Sequence, residues 1–345
     1  MTLAAPIRGD NAVTGHGQKS APGLDRVQAL VSADLERVNE AILSRMDSDV
    51  PLIPKLAGHI VAAGGKRLRP VLTLACAKLC DYDGDRHVKL AACVEFIHTA
   101  TLLHDDVVDE SDLRRGLPTA NAVWDNKASV LVGDFLFSRA FQFMVEDGSL
   151  KVLDTLSAAS AAIAEGEVHQ LMTANNISTT EEAYLQVVEG KTARLFEAAA
   201  QVGAIVADRP AEDEVNLAAY GRNLGIAFQL IDDVLDYSAH EATLGKEIGD
   251  DFRDGKITLP IILAYRRGDE TEQAFWRRSM EEQDTSDGDL GKAIDLLRKH
   301  GALTETVERA RHYAKIALRA LNGFPQNEAR DALADLVAFA VDRPY

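Results

Sequence analysis

The sequence is poor in aromatic residues, in cysteine and in positive charge. Only 6% of its 345 residues are aromatic, and only three are cysteines, Cys76, Cys80 and Cys93, an odd number within apolar segments. These cysteines lack zinc-ligand spacing and indicate buried free thiols in a reducing cytoplasm. The formal charge is −17, from 37 basic and 54 acidic residues. It excludes a nucleic-acid-binding surface, because binding to a phosphate backbone requires a basic stripe.

The sequence also lacks a membrane span, a secretory signal and an internal linker. No apolar run approaches the roughly 20 residues that cross a bilayer, so we expect no transmembrane segment. Residues 1–22 carry Gly, Pro, Asn and Ser, with Arg8 and Asp10 interrupting any apolar stretch, and we expect a disordered tail. No Pro/Gly/Ser-rich linker follows Leu24. We therefore expect one domain over residues 23–345, located in the cytoplasm.

Runs of alternating β-branched residues are missing as well, which favours an all-α fold. Apolar residues recur at three- and four-residue spacing, and 46% of the chain is hydrophobic. This spacing predicts one amphipathic helix from Leu24 to about Met46, a long helix from His87 to Glu110, and further helices over Thr180–Val206 and Glu212–Tyr237. The expected architecture is a single-domain helical bundle.

The long helix His87–Glu110 ends in a cluster of carboxylates. At 3.6 residues per turn, Asp105 and Asp109 lie about 40° apart around the helix, and Asp106 lies roughly 60° further round. Aliphatic residues fill much of the remaining circumference. Like charges in a partly dry site must protonate or find cations, and clustered oxygen ligands suit Mg²⁺. Because Arg114 and Arg115 follow at once, the pattern predicts a metal-bridged phosphate or diphosphate site.

The same aspartate spacing recurs near the end of the helix Glu212–Tyr237, at Asp232, Asp233 and Asp236. One acidic cluster usually faces water, whereas two with identical spacing on apolar helices indicate a shared function. Acidic residues at a helix C-terminus are unfavourable unless something offsets their charge, and metal ions would do so. The duplicate therefore predicts the second wall of one metal site.

Three further segments supply cations near these motifs. The turn Gly64–Pro70 places Lys66 and Arg69 at a helix start, where two glycines allow a close approach to a ligand. His98 lies seven residues before Asp105 on nearly the same helix face. The glycine-punctuated segment 245–256 resembles a lid that supplies Lys246 and Lys256. The Lys191-Thr192 pair follows a glycine but lacks the remaining features of a nucleotide P-loop.

Taken together, these motifs resemble those of the trans-isoprenyl (polyprenyl) diphosphate synthases, and in particular of the long-chain, octaprenyl-forming members. The similarity runs from about Ile60 to Pro260 and includes the glycine-basic turn, Glu95 to His98, both aspartate motifs, Lys191-Thr192, and Gly255 to Pro260. It implies an isoprenoid-synthase bundle around a deep central cavity, dependence on Mg²⁺, a homodimer, and a product of octaprenyl length for a quinone side chain.

The resemblance also assigns roles to individual residues. It implies that Mg²⁺ is bound by Asp105, Asp109, Asp232 and Asp236. It implies that the allylic diphosphate is bound by Arg114, Lys191, Thr192, Gln229, Lys246 and Lys256, of which Arg114, Lys191, Thr192 and Gln229 also serve catalysis. It implies that isopentenyl diphosphate is bound by Lys66, Arg69, His98 and Arg115.

Product length is controlled, by the same resemblance, at the fourth and fifth residues before the first aspartate. These are Thr101 and Ala100, and both are small. Helix geometry places Thr101 on the Asp105 stripe and Ala100 about 140° away. The absence of a bulky side chain predicts a deep tunnel and a long product.

Several alternatives remain open from the sequence. A shorter geranylgeranyl product and a longer solanesyl or decaprenyl product are both compatible with the motifs. An HD-type phosphohydrolase would use His98 and the His104-Asp105 pair, although the second cluster offers no histidine. A terpene cyclase would not need the second group of cations. A non-catalytic subunit of a synthase would not need intact metal motifs.

Overall fold

The computed structural model describes residues 22–62, 65–114, 117–238 and 248–343. Within these ranges the chain is almost entirely helical, as predicted. The N-terminal and central helices are α1 (Pro22–Leu30), α2 (Ser32–Arg45), α3 (Leu52–Ala62), α4 (Leu68–Leu79), α5 (Arg86–Val108), α6 (Ala120–Val123), α7 (Asn126–Asp147) and α8 (Leu150–Thr173). They are followed by α9 (Glu181–Val188), a π-helical turn (Glu189–Ala193), α10 (Arg194–Val206) and α11 (Ala211–Ser238).

The C-terminal part of the chain continues with further helices. These are α12 (Asp250–Arg253), α13 (Leu259–Arg267), α14 (Glu270–Trp276), a π-helical turn (Arg277–Glu281), α15 (Asp289–Lys299), α16 (Ala302–Ala320), a 3₁₀ turn (Leu321–Gly323) and α17 (Glu328–Val341). Among the described residues, the only strands are β1 (Leu113–Arg114) and β2 (Leu117–Pro118), which pair antiparallel just after α5. This hairpin, which the sequence analysis did not predict, places Arg114 beside the end of α5.

Two predicted helices are interrupted in the structure. The expected single helix from Leu24 to Met46 is wrong, because the chain leaves helical geometry at Val31 (φ −115°, ψ 15°) between α1 and α2. The expected helix Thr180–Val206 contains the π-helical turn at Glu189–Ala193. Apolar periodicity runs unbroken across both positions, so the pattern alone does not reveal a local change in backbone hydrogen bonding.

The core is formed by helices that contact one another along their lengths. Helix α11 packs between α10 and α16, α10 packs on α4 and α8, and α5 packs against α4 and α7. The last helix, α17, packs on α1 and α11. The largest buried side chains include Phe96, Phe196, Tyr220 and Trp276. This packing holds the C-terminal ends of α5 and α11, which carry the aspartate motifs.

The cysteine prediction is confirmed, since Cys76, Cys80 and Cys93 are buried and free. Burial raises the pKa of the Cys80 thiol to about 12, which keeps it in the neutral, unreactive form at physiological pH. Burial likewise raises the pKa of Cys93 above its usual range. These thiols pack as small apolar side chains.

Helix α7 is long and apolar. It begins where Asp125 accepts a hydrogen bond from the Ala128 backbone N–H (2.7 Å) and ends at Gly148, whose φ is 76°. By length and composition it is the one helix among the described residues that meets the criteria for crossing a membrane, and 44% of its most apolar window is buried by the rest of the chain. The core helix of a water-soluble protein meets the same criteria.

Candidate active site

The first aspartate motif lies at the C-terminal end of α5, and its outer carboxylates contact two lysines. Lys191 Nζ lies 3.5 Å from Asp105 Oδ2, and Lys256 Nζ lies 3.1 Å from Asp109 Oδ2. The two lysines come from the π-helical turn and from the segment after α12. The expectation that buried like charges must find cations is met here by the protein's own side chains.

The π-helical turn presents Lys191 because two glycines let it approach α8 at backbone distance. A Cβ added to Gly166 would lie 2.5 Å from the Lys191 backbone nitrogen, and one added to Gly190 would lie 3.0 Å from the Gly166 Cα. Side chains at either position would therefore force the two segments apart. The Lys191 ammonium also lies 2.7 Å from the Glu167 carboxylate on α8. Glu167 was not among the predicted site residues.

The central aspartate of the first motif has a different partner. Asp106 is buried, and its carboxylate accepts hydrogen bonds from Arg114 Nε (2.8 Å) and Nη2 (2.6 Å). This fork brings the β1 arginine onto the end of α5. The two Arg114 donors that approach Asp106 hold the guanidinium next to the carboxylates predicted to bind metal.

In the second motif, each aspartate contacts a donor from a different element. Asp232 pairs with the Arg343 guanidinium (2.5 Å) beyond the end of α17. Asp236 accepts a hydrogen bond from the Asp251 backbone N–H at the start of α12 (3.1 Å). The buried Asp233 accepts one from the Gln229 side-chain amide (2.9 Å) and another from the Tyr184 hydroxyl.

Two chains of contacts connect the motifs. In one, Thr192 donates a hydrogen bond to the Gln229 side-chain carbonyl (3.0 Å), and Gln229 in turn donates to Asp233. Because Thr192 follows Lys191, this chain runs from Asp105 to the second motif. The other chain runs from Asp109 through Lys256 and Asp251 to Asp236. The sequence-predicted Lys191, Thr192 and Gln229 are therefore brought together by the fold.

Electrostatic strain accompanies this arrangement. Burial raises the pKa of Asp105, and the Lys191 charge opposes that rise. Burial, together with the Asp105 charge, raises the pKa of Glu167 to about 7, again against Lys191. For Lys256, burial acts to lower the pKa, but the neighbouring carboxylates, Asp109 foremost, raise it above its usual value. Burial is the main cause of the raised carboxyl pKa values, and shifted pKa values of this kind are common at functional sites.

The segment 65–70 supplies three cations that have different partners. Arg67, at a φ of 49°, pairs with the buried Glu95 (2.5 Å). Arg69 Nη1 lies 3.0 Å from His98 Nε2, so two residues predicted to hold isopentenyl diphosphate are in contact. Lys66 is exposed, and its ammonium lies 5.1 Å from the centroid of a phenylalanine ring on α17.

The remaining predicted residues are placed as follows. Thr101 is half-buried and donates a hydrogen bond to the His98 carbonyl (2.7 Å), whereas Ala100 is fully buried. Arg115 and Lys246 lie outside the described residues. His104 packs onto α7, where its ring stacks on Phe137 with 6.4 Å between centroids. His104 therefore packs between α5 and α7.

The donor set fits a hard cation such as Mg²⁺, because it consists of carboxylate oxygens from two separate helices. Among the residues that the structure describes, no three His, Cys, Asp or Glu side chains come together closely enough to hold one ion. Each outer aspartate instead contacts a protein donor. Side-chain cations therefore lie at Asp105, Asp109 and Asp232, and a backbone N–H lies at Asp236.

An all-helical bundle with one aspartate motif at the end of α5 and another at the end of α11 has the isoprenoid-synthase fold, and solved structures share it. The chain has a TM-score of 0.89 and 52% identity to a decaprenyl diphosphate synthase from Rhodobacter capsulatus, with 93% of this chain and 99% of that chain covered. It has a TM-score of 0.90 and 51% identity to a polyprenyl synthase from Caulobacter crescentus complexed with calcium and isoprenyl diphosphate, with coverage of 93% and 98%.

A sequence profile of the polyprenyl synthetase family matches residues 50–297. The chain is 50% identical over 320 residues to the octaprenyl diphosphate synthase of Escherichia coli, with 93% of this chain and 99% of that protein covered. The chain belongs to the polyprenyl synthetase family and is a prenyltransferase. This assignment supersedes the HD-type phosphohydrolase alternative.

Proposed function

We propose that the protein condenses isopentenyl diphosphate successively onto an allylic diphosphate, with farnesyl diphosphate as primer, to make a long-chain trans-polyprenyl diphosphate for a quinone side chain. The observation that carries this proposal is the pair of aspartate motifs, which are linked through Lys191, Thr192 and Gln229. The octaprenyl diphosphate synthase of Escherichia coli, at 50% identity, supports the long-chain assignment.

The allylic diphosphate would be held by the cations that now contact the first motif. The ammonium groups of Lys191 and Lys256 each contact an outer aspartate of the first motif. The Arg114 guanidinium is held in place by its hydrogen bond to Asp106. Bound Mg²⁺, held by the outer aspartates, would supply charge that stabilises the departing diphosphate. Lys191, Lys256 and Arg114 would add preorganised positive charge around the same diphosphate. Their attraction to it strengthens as negative charge develops on the leaving group.

Thr192 and Gln229 would stabilise the allylic cation that remains. Thr192 is buried, and the hydroxyl–amide hydrogen bond orients both dipoles without a net charge that would trap the cation. The isopentenyl double bond then attacks the cation, and the released diphosphate accepts the proton that is lost. Water must be excluded, because it would quench the cation.

The isopentenyl diphosphate side would be formed by Lys66, Arg69 and His98. The contact between Arg69 and His98 supports this assignment, because both donors reach one place from different helices. A second diphosphate subsite also favours a chain-elongating synthase over a terpene cyclase, which ionises one diphosphate without a second such substrate. Arg115 is proposed for the same subsite from its position in the motif.

The direct test is incubation of the purified chain with Mg²⁺, farnesyl diphosphate and labelled isopentenyl diphosphate, followed by mass spectrometry of the product. We expect Mg²⁺-dependent incorporation and a product of octaprenyl length. A geranylgeranyl, solanesyl or decaprenyl product would correct the chain length and keep the reaction. Failure of the purified chain to incorporate isopentenyl diphosphate would contradict the proposal and support a non-catalytic subunit.

We also propose a homodimer formed through the outer faces of α7 and α8. Large apolar side chains remain exposed there, namely Leu131, Phe141, Val145, Val168, Leu171 and Met172. Apolar patches of this kind mark interfaces in soluble proteins. The dimer would also cover the outer side of α7, which is consistent with a cytoplasmic protein.

Light scattering should give twice the chain mass, and Leu171→Glu should give the monomer. A monomeric wild type would contradict the proposal.

A further inference from the structure

The side chain of Arg343, two residues after the end of α17, reaches the second aspartate motif on α11. Its guanidinium pairs with Asp232 and donates a hydrogen bond of 3.0 Å to the Phe228 carbonyl. The guanidinium carbon also lies 4.2 Å from the centroid of the Phe228 ring, a cation–π distance. Arg343 Nε donates to the Ala340 carbonyl (3.3 Å). The guanidinium is thus held on its edges and on one face.

These contacts occupy a carboxylate that the proposed mechanism needs for metal. Asp232 is the first aspartate of the second motif and remains 42% exposed, whereas Arg343 is only 10% exposed. The carboxylate oxygen that accepts from a guanidinium is not free to coordinate an ion. Arginine matches carboxylate geometry well and stays charged at all physiological pH values. Arg343 and a metal ion at Asp232 are therefore alternatives.

The position of Arg343 distinguishes it from the other cations of the site. Lys191 belongs to the π-helical turn that packs against α8, and Lys256 lies between α12 and α13. Arg343 lies two residues beyond the end of α17, so its side chain can be displaced without breaking a turn of that helix. Asp232 is 42% exposed, so a metal ion can reach it from solvent and compete with Arg343 for the carboxylate.

We propose that Arg343 is a tethered counter-ion of Asp232 that a divalent metal ion displaces, so that metal loading of the second motif releases the C-terminal residues. The proposal rests on the proposed function, because it takes Asp232 as a metal ligand. While the pair is formed, the second motif is not competent to bind metal. The apparent metal affinity is therefore the intrinsic affinity multiplied by the fraction of molecules in which the pair is open.

The first test measures binding of Mn²⁺ by electron paramagnetic resonance in the presence of inorganic diphosphate. Arg343→Gln should bind Mn²⁺ about three- to tenfold more tightly than the wild type, because the competitor is gone. Arg343→Lys keeps the charge without the planar fork and should fall between them. An unchanged or weaker Mn²⁺ affinity in Arg343→Gln would overturn the proposal.

The matched control is Arg26→Gln, which removes the same charge from a residue that contacts the same helix. Arg26 on α1 pairs with Asp335 (2.8 Å) on α17 and is 42% exposed. Its loss tests whether loosening α17 is enough to change metal binding. We expect wild-type Mn²⁺ affinity, and an increase equal to that of Arg343→Gln would assign the effect to α17 and overturn the proposal.

The second test follows hydrogen exchange at residues 338–343. In the wild type, Mn²⁺ with inorganic diphosphate should speed exchange there, and Arg343→Gln should exchange fast with or without the ion. Exchange that does not respond to the ion in the wild type would overturn the proposal. A wild type that binds no Mn²⁺ at all would overturn both this proposal and the metal site of the proposed function. Binding without a C-terminal response overturns this proposal alone.

Discussion

The Lys256 ammonium lies 3.1 Å from the Asp109 carboxylate, although 147 positions separate the two residues. The Lys256 backbone N–H also donates to the Asp251 carbonyl (2.9 Å), and the Asp251 N–H donates to Asp236. A short segment after α11 therefore connects the last aspartates of both motifs. Both motifs therefore contact the same segment, although they lie on separate helices.

Loss of a single outer aspartate should abolish most turnover. We expect Asp105→Asn and Asp232→Asn each to lower kcat by at least about a hundredfold. Each removes a charged ligand of the proposed Mg²⁺, which would stabilise the negative charge that develops on the departing diphosphate. Circular dichroism should show a retained helical fold. Asp154→Asn on the exposed face of α8 is the charge-matched control and should keep wild-type rates. Wild-type rates in either motif variant would remove the metal assignment.

Glu167 should position Lys191 for the allylic diphosphate. Without the Glu167 carboxylate, the Lys191 ammonium keeps its contact with Asp105 but loses the shorter of these two ion pairs. We therefore expect Glu167→Ala to lower kcat about tenfold to a hundredfold. The KM for the allylic substrate should rise, whereas the KM for isopentenyl diphosphate should not. Glu167→Gln keeps an acceptor and should recover part of the activity. Glu165→Gln, an exposed neighbour on α8, is the control. Equal effects on both KM values would contradict a role specific to Lys191.

A bulky residue one turn before Asp105 should shorten the product. Thr101 is half-buried, so Thr101→Phe should fold and, with geranyl diphosphate as primer, yield farnesyl or geranylgeranyl lengths by mass spectrometry, whereas Thr101→Val should keep the wild-type length. Ala100 is fully buried, and Ala100→Phe should in addition lower the free energy of unfolding by about 1–3 kcal/mol through overpacking. Unchanged length in both phenylalanine variants would remove the chain-length assignment.

Acid should destabilise the protein partly through Glu272. Hydrogen bonds from Lys299 and His300 lower the pKa of Glu272 to about 2, whereas a glutamate in the unfolded chain titrates at about 4.3. The unfolded state therefore binds more protons, and the contribution of Glu272 to stability, complete above about pH 5, is lost as pH falls toward 2. Urea midpoints should fall more steeply below pH 5 for wild type than for Glu272→Gln. Parallel midpoints would contradict this.

Local pattern accounts for much of what the sequence predicted correctly. The helical class, the ends of α5 and α11, and the buried cysteines depend on apolar spacing and composition, which act over a few turns of helix. The same signal failed at Val31 and at the π-helical turn, because both keep the apolar spacing while the backbone departs from an α-helix. The chain around Lys191 was recognised by its residues but not by its geometry.

The sequence by itself determined the family motifs and the candidate site residues, since two aspartate triplets with one spacing and the cations near them are local features. Only the tertiary structure decided which cation meets which carboxylate. Glu167 and Arg343 carry no motif, and they reach the site because α8 packs on the π-helical turn and α17 packs on α11. Such pairings join residues more than twenty or a hundred positions apart, and periodicity within one helix contains no information about them.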